Sequence, residues 1–218
     1  MKTKIVIFIS LIVSLFTLTG CAKTEVQKEN YKIVTSFYPM YIIARNITDG
    51  ANNVKLVNMT EQNTGCIHDY TLTTNDMKKI ENADIFIQNG LGLEIFMDKI
   101  FTIYPNLKVL DASINIKNVI KEDEVNPHVW TSIENYINQV KEISQVLIQQ
   151  NSENKQIYEE NTEKYIKDLE KVEKQYEEIS QELNGQKAIC LNEALEYLAK
   201  DIKLEYISLH TDNDENSM

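Results

Sequence analysis

Histidine is scarce in this chain of 218 residues: there are three, His68, His128 and His210. No His-Glu-x-x-His pair occurs, so nothing sets two imidazoles on one helix face beside a general base. Glu94 and Glu193 have no second acid at a useful spacing, and a binding protein rather than an enzyme is expected. Cysteine is equally sparse. Apart from Cys21 there are Cys66 and Cys190, too few for a disulfide scaffold although one bridge stays open. Both are read as small buried residues at strand ends. Positive charge is in deficit: 22 Lys and Arg against 33 Asp and Glu leave a net charge of −11. There is no basic stripe to replace phosphate counterions, so no nucleic-acid partner is expected. Gly90 and Gly92 lack the third glycine of a dinucleotide loop, which removes that reading as well.

The N-terminal apolar run is also too short to be a membrane span. Residues 5–18 form a stretch of 14, against the roughly 20 a helix needs to cross a bilayer. Lys2 and Lys4 precede it, and Leu18-Thr19-Gly20-Cys21 closes it. A basic flank, a short apolar segment and a small-residue end form a secretory signal. The closing tetrapeptide matches the bacterial lipoprotein pattern, which implies cleavage before Cys21 and lipidation of its thiol. The mature protein is then anchored on a membrane without spanning it. Residues 21–30 are polar and read as a tether.

From Tyr31 onward strand and helix signals alternate. Residues 32–36, 54–57, 83–88 and 107–111 read as strands. Pro39 opens a helix over 40–48, and Thr73 with Asp76 forms a capping box ahead of a second. This alternation implies a mostly parallel sheet with helices on its faces, whose ligands bind beyond the carboxyl ends of the strands. After Trp130 the texture changes. Residues 133–150 and 153–183 carry helical periodicity without Gly or Pro, with Asn151-Ser152 as the expected cap between them. The second of these is long, polar and without a clean heptad seam, so it reads as a bridge between lobes. Gly185 ends it. Residues 187–191, 193–201 and 204–209 then give one further βαβ unit, too small to bury both faces of its sheet. The expected fold is α/β, with two lobes joined by a long rigid helix. The first lobe is complete, and the second stops after one βαβ unit. The expected division is a signal peptide over 1–20, a tether over 21–30, a first lobe over 31–132, helices including the bridge over 133–184, and a second lobe from 185 to 218.

Two histidines occupy matching places. His68 and His128 each lie in a loop that leaves the sheet and precedes a helix, while His210 sits in an acidic tail and reads as a surface residue. A loop histidine on its own is commonly a solvated or capping residue. Neutral imidazole suits zinc and related metals, and two at equivalent topological positions narrow the odds against ligation without closing them.

Several stretches in order carry a family resemblance. They are Val34-Thr35-Ser36-Phe37-Tyr38-Pro39, the run from Cys66 to Asp76 around His68, and Ala83-Asp84-Ile85-Phe86-Ile87-Gln88-Asn89-Gly90-Leu91-Gly92-Leu93-Glu94. They continue with Asn126-Pro127-His128-Val129-Trp130 and Asn192-Glu193-Ala194-Leu195-Glu196-Tyr197-Leu198-Ala199. Together these resemble the cluster A-I solute-binding proteins, the zinc and manganese receptors of ABC importers, with the C-terminal part incomplete. The resemblance implies an extracytoplasmic lipoprotein on the outer face of the bacterial cytoplasmic membrane. It implies capture of Zn2+, with Mn2+ as the alternative, for an importer permease. It implies His68 and His128 as ligands from the first lobe. The third ligand position, His or Glu in the family, is Asn192 here, a poor donor for zinc, with Glu193 beside it as the other candidate. The fourth falls beyond residue 218. The family's histidine-rich loop has no counterpart in residues 116–125. The alternative reading is a surface adhesin or interaction lipoprotein of the same fold with degenerate metal binding.

Overall fold

The computed structural model describes residues 30–60, 67, 70–121, 124–183 and 185–209. Cys21, Cys66, His68 and His210 lie outside the described residues.

Four short strands, β1 (Tyr31–Thr35), β2 (Val54–Asn58), β3 (Ile85–Gln88) and β4 (Val109–Asp111), form one parallel sheet in the order β2-β1-β3-β4. The central strands β1 and β3 are covered on both faces, which is why they read as unbroken apolar runs. Their side chains divide by alternation. Ile33, Ile85 and Ile87 face one core; Val34 and Phe86 face the other.

The first core is closed by α1 (Tyr38–Thr48) and α4 (Ile133–Gln150). Met40, Ile43, Ala44 and Ile47 of α1 are spaced to form one helical stripe, and all are fully buried. Pro39 lies in the first turn of α1, where its missing N–H is not needed. Val140, Ile143 and Leu147 are the matching stripe of α4. The second core is closed by α2 (Thr74–Ile80) and α3 (Asp98–Ile103), through Ile80 and Ile100. The capping box at α2 forms as expected: Thr73 accepts from the Asp76 backbone N–H, and the Asp76 carboxylate accepts from the Thr73 N–H. The short α3 was not anticipated. It has no side-chain cap and no extended stripe to announce it.

The long helix is α5 (Lys155–Glu182), 28 residues and about 42 Å at 1.5 Å per residue. Its first turns pack on α1 and α4 through Tyr158, Tyr165, Ile166 and Leu169. The expected cap at Asn151-Ser152 is not made in that form. Asn151 ends α4, residues 152–154 form a 3-10 turn, and Asn154 precedes α5 without a side-chain cap. The Asn154 side chain instead bonds both the N–H and the carbonyl of Asn52, each at 3.0 Å, fastening the helix junction to the loop before β2.

Beyond Gly185, at φ +78, the chain makes β5 (Lys187–Cys190), α6 (Glu196–Asp201) and β6 (Glu205–Ser208), with β5 and β6 parallel. α6 covers one face of this pair. On the other face Ile189 and Ile207 are exposed, with Leu191 and Leu209 just beyond them. Leu195 is exposed as well, while Leu198 and Ile202 are half-buried.

Candidate metal centre

The strand order reverses between β1 and β3, so their carboxyl ends frame the crevice where such sheets bind ligands. Ser36 follows β1; Asn89 and Gly90 follow β3. The buried Glu94 joins them. Its carboxylate accepts from Ser36 Oγ at 2.8 Å, from Asn89 N at 2.7 Å and from Gly90 N at 3.0 Å. Burial pushes its pKa up to about 7, against the pull of these donors. Gly90, at φ +88, has no room for a Cβ, which would stand 2.0 Å from an Asp111 carboxylate oxygen. The glycine-rich turn thus wraps an internal carboxylate.

From this platform Asn89 reaches the histidine loop. Its Nδ2 donates to the Pro127 carbonyl at 2.9 Å, and its Oδ1 accepts from Gln139 of α4 at 2.9 Å. The loop also builds itself locally. Asn126 Oδ1 accepts from His128 N at 3.0 Å, an Asx turn across the rigid Pro127. One 3-10 turn over Val129–Thr131 then leads to Ser132, which caps α4.

His128 is buried at 6 % exposure. Its Nδ1 lies 2.9 Å from Asn126 Oδ1 and 3.4 Å from Glu193 Oε1. The Trp130 ring tilts over it with centroids 5.0 Å apart, and Phe37 meets Trp130 edge-on at 4.8 Å. Asn192, at the third position of the motif, is placed beside this histidine loop by its sequence neighbour Glu193. It is exposed, and its side-chain oxygen accepts from Ala194 N at 2.9 Å, capping its own short turn. That cap is a preferred use of Asn, and it leaves the adjacent Glu193 to turn toward His128. Cys190 is a free, buried thiol at the end of β5, its pKa raised by burial and by Glu196. Among the described residues no group of three or more His, Cys, Asp and Glu is placed to hold a metal ion.

Several residues at this junction carried no individual signal in the sequence. Asn126 Nδ2 donates to the Glu193 carbonyl at 3.0 Å and to Glu196 Oε2 at 3.1 Å. The buried Tyr197 hydroxyl donates to the Asn126 carbonyl at 2.8 Å and accepts from Ile120 N at 2.9 Å. Asp201 accepts from Ser132 Oγ at 3.1 Å and Ile133 N at 2.7 Å. Glu193, Glu196, Tyr197 and Asp201 fall at helical spacing on one face. That spacing was the readable clue that this segment docks through polar groups.

Comparison with known proteins now decides the family. The model of the family described as zinc-uptake complex component A, periplasmic, matches residues 33–217. The chain belongs to this family. It is similar to the manganese-binding lipoprotein MntA of Halalkalibacterium halodurans, 28% identical over 166 residues that cover 73% of this chain and 54% of that protein. It is similar to the iron-binding protein YfeA of Yersinia pestis, 29% identical over 194 residues, covering 86% of this chain and 61% of that one. The chain thus spans little more than half the length of these relatives. Among solved structures it resembles the metal-dependent lipoprotein YcdH of Bacillus subtilis. The TM-score is 0.74 at 26% identity, covering 83% of this chain and 67% of that one.

Proposed function

We propose that this chain captures a divalent transition metal outside the cytoplasm and presents it to the permease of an ABC importer. The reading rests on His128. A buried imidazole held from behind by Asn126 and Glu193, at the rim of a parallel sheet, is how metal-binding histidines are oriented. Membership of the zinc-uptake family supports a metal as the ligand of that geometry. Zinc is the preferred cargo, because imidazole suits it, and manganese is the alternative. The relatives named for manganese and for iron mark the range of cargo the fold accepts.

His128 and His68 are the proposed ligands of the four-stranded unit. Glu193, on the second unit, holds His128 from the Nδ1 side. The net charge of −11 favours cation approach. Lipidation at Cys21 would hold the protein at the outer face of the membrane. The lobe division at residues 31–132, 133–184 and 185–218 belongs to the same proposal.

Calorimetric titration with zinc and with manganese tests it, alongside fluorescence of Trp130, the single tryptophan. Zinc should bind with a change in Trp130 emission, and His128→Ala should weaken both signals. Equal heats for the unmodified chain and His128→Ala would contradict the assignment. Absence of any metal binding would favour the adhesin reading.

A further inference from the structure

The hydrogen bonds of Asn126 orient both of its ends. Nδ2 faces the Glu193 carbonyl at 3.0 Å and Glu196 Oε2 at 3.1 Å. Both are acceptors, so the amide nitrogen belongs at that end and Oδ1 at the other. Oδ1 then meets His128 twice, at the backbone N at 3.0 Å and at ring Nδ1 at 2.9 Å. An amide oxygen only accepts, so Nδ1 must carry the proton. Glu193 Oε1, at 3.4 Å, is a second acceptor on the same side. With Nδ1 protonated, a neutral ring has its basic lone pair on Nε2.

We propose that Asn126 is the positioning residue of the site. It locks His128 in the tautomer that presents Nε2 to a metal, and it ties that ligand to the second unit. The inference rests on the metal-capture reading for its purpose, but not for its geometry. Asn126 is buried at 6 % exposure, and Glu196 at 2 %. Glu196 Oε1 also accepts from Ser208 Oγ on β6, so the chain of bonds runs from the imidazole through Asn126 and Glu196 into the second sheet. The Tyr197 hydroxyl secures the Asn126 carbonyl. A single amide therefore does two separable things. Its oxygen sets which ring nitrogen is basic, and its nitrogen makes the orientation of the ligand depend on docking of α6.

Histidine-selective 15N labelling of the full chain in detergent, read by NMR at about pH 8 where imidazole is neutral, tests this. The three histidines are separated with His68→Gln and His210→Gln variants. His128 should show the Nδ1–H tautomer. Asn126→Asp keeps an acceptor for Nδ1–H but sets a carboxylate against Glu196. It should retain the tautomer while amide exchange across Glu196–Asp201 accelerates. Asn126→Ala should give a mixed tautomer and weaken zinc binding by about 10–100-fold, the usual loss when the group orienting a ligand is removed. An Nε2–H tautomer in the unmodified chain would overturn the proposal, and so would an unchanged tautomer in Asn126→Ala. The unmodified spectrum decides even if a variant fails to fold. An Nδ1–H tautomer in a chain that binds no zinc would sink metal capture and leave the lock standing. An Nε2–H tautomer in a zinc-binding chain would do the reverse.

Discussion

Burying a polar side chain costs free energy unless its partners come with it, and Glu94 is where this chain meets that cost most directly. Its carboxylate is 5 % exposed and takes three donors, yet burial still holds its pKa near 7, above the ordinary 4.5. An acid whose folded pKa is raised penalises the folded state when it ionises. The penalty is full above pH 7 and relieved as pH falls toward 4.5. Stability should therefore rise on mild acidification, by on the order of 3 kcal/mol across that window from this group. The half-buried Asp201, also raised by burial, adds in the same direction. Asp76 acts oppositely and lower. Burial pushes it up, but bonds from Thr73 and Tyr70 outweigh that and hold it below 3.8, so its contribution is lost only in stronger acid. Urea unfolding at about pH 8 and about pH 5 should show a higher midpoint at the lower pH, and Glu94→Gln should flatten the difference. A midpoint that falls on acidification in the unmodified chain would contradict this account of Glu94.

Elements were legible where local chemistry and tertiary packing agree. The β1 and β3 runs, the stripe of Met40, Ile43, Ala44 and Ile47, and the box of Thr73 and Asp76 each state their structure in the sequence. α3 did not, because Ile95–Met97 forms a separate 3-10 turn and neither piece has a side-chain cap. The side-chain setting of Asn192 was equally unreadable. It depends on Asn192 capping Ala194, which sequence adjacency does not reveal. The placement of His68 lies outside the described residues and stays an expectation from the motif. α6 shows the same principle across a longer distance, since Asp201 caps α4 from another unit through Ile133 N at 2.7 Å. Removing a cap costs about 0.5–2 kcal/mol. Asp201→Ala should lose about that much in denaturant unfolding, and hydrogen exchange should speed up in both α6 and the first turn of α4. Faster exchange confined to α4 would mean that Asp201 does not hold the units together.

At the scale of the molecule, the four-stranded unit buries its apolar surface on both faces of its sheet, and the two-stranded unit on one. Ile189 and Ile207 are register partners on the outer face of β5 and β6, 61% and 60% exposed. Leu191 and Leu209 extend that strip, at 69% and 52%. An apolar strip of this kind promotes association in water. Ile189→Lys with Ile207→Glu should lower the apparent mass in light scattering at high concentration while shifting stability by no more than about 0.5 kcal/mol each. Loss of folding in that variant would show that the strip is packed in solution.

The central claim is that His128 binds metal through Nε2 while the two units are held together behind it. X-ray absorption at the zinc edge of the loaded chain tests this most directly. Imidazole scattering from two histidines with Zn–N distances of about 2.0–2.1 Å is the predicted result, with half of that scattering lost in His128→Gln. A spectrum unchanged by His128→Gln, or one dominated by sulfur at about 2.3 Å, would contradict it.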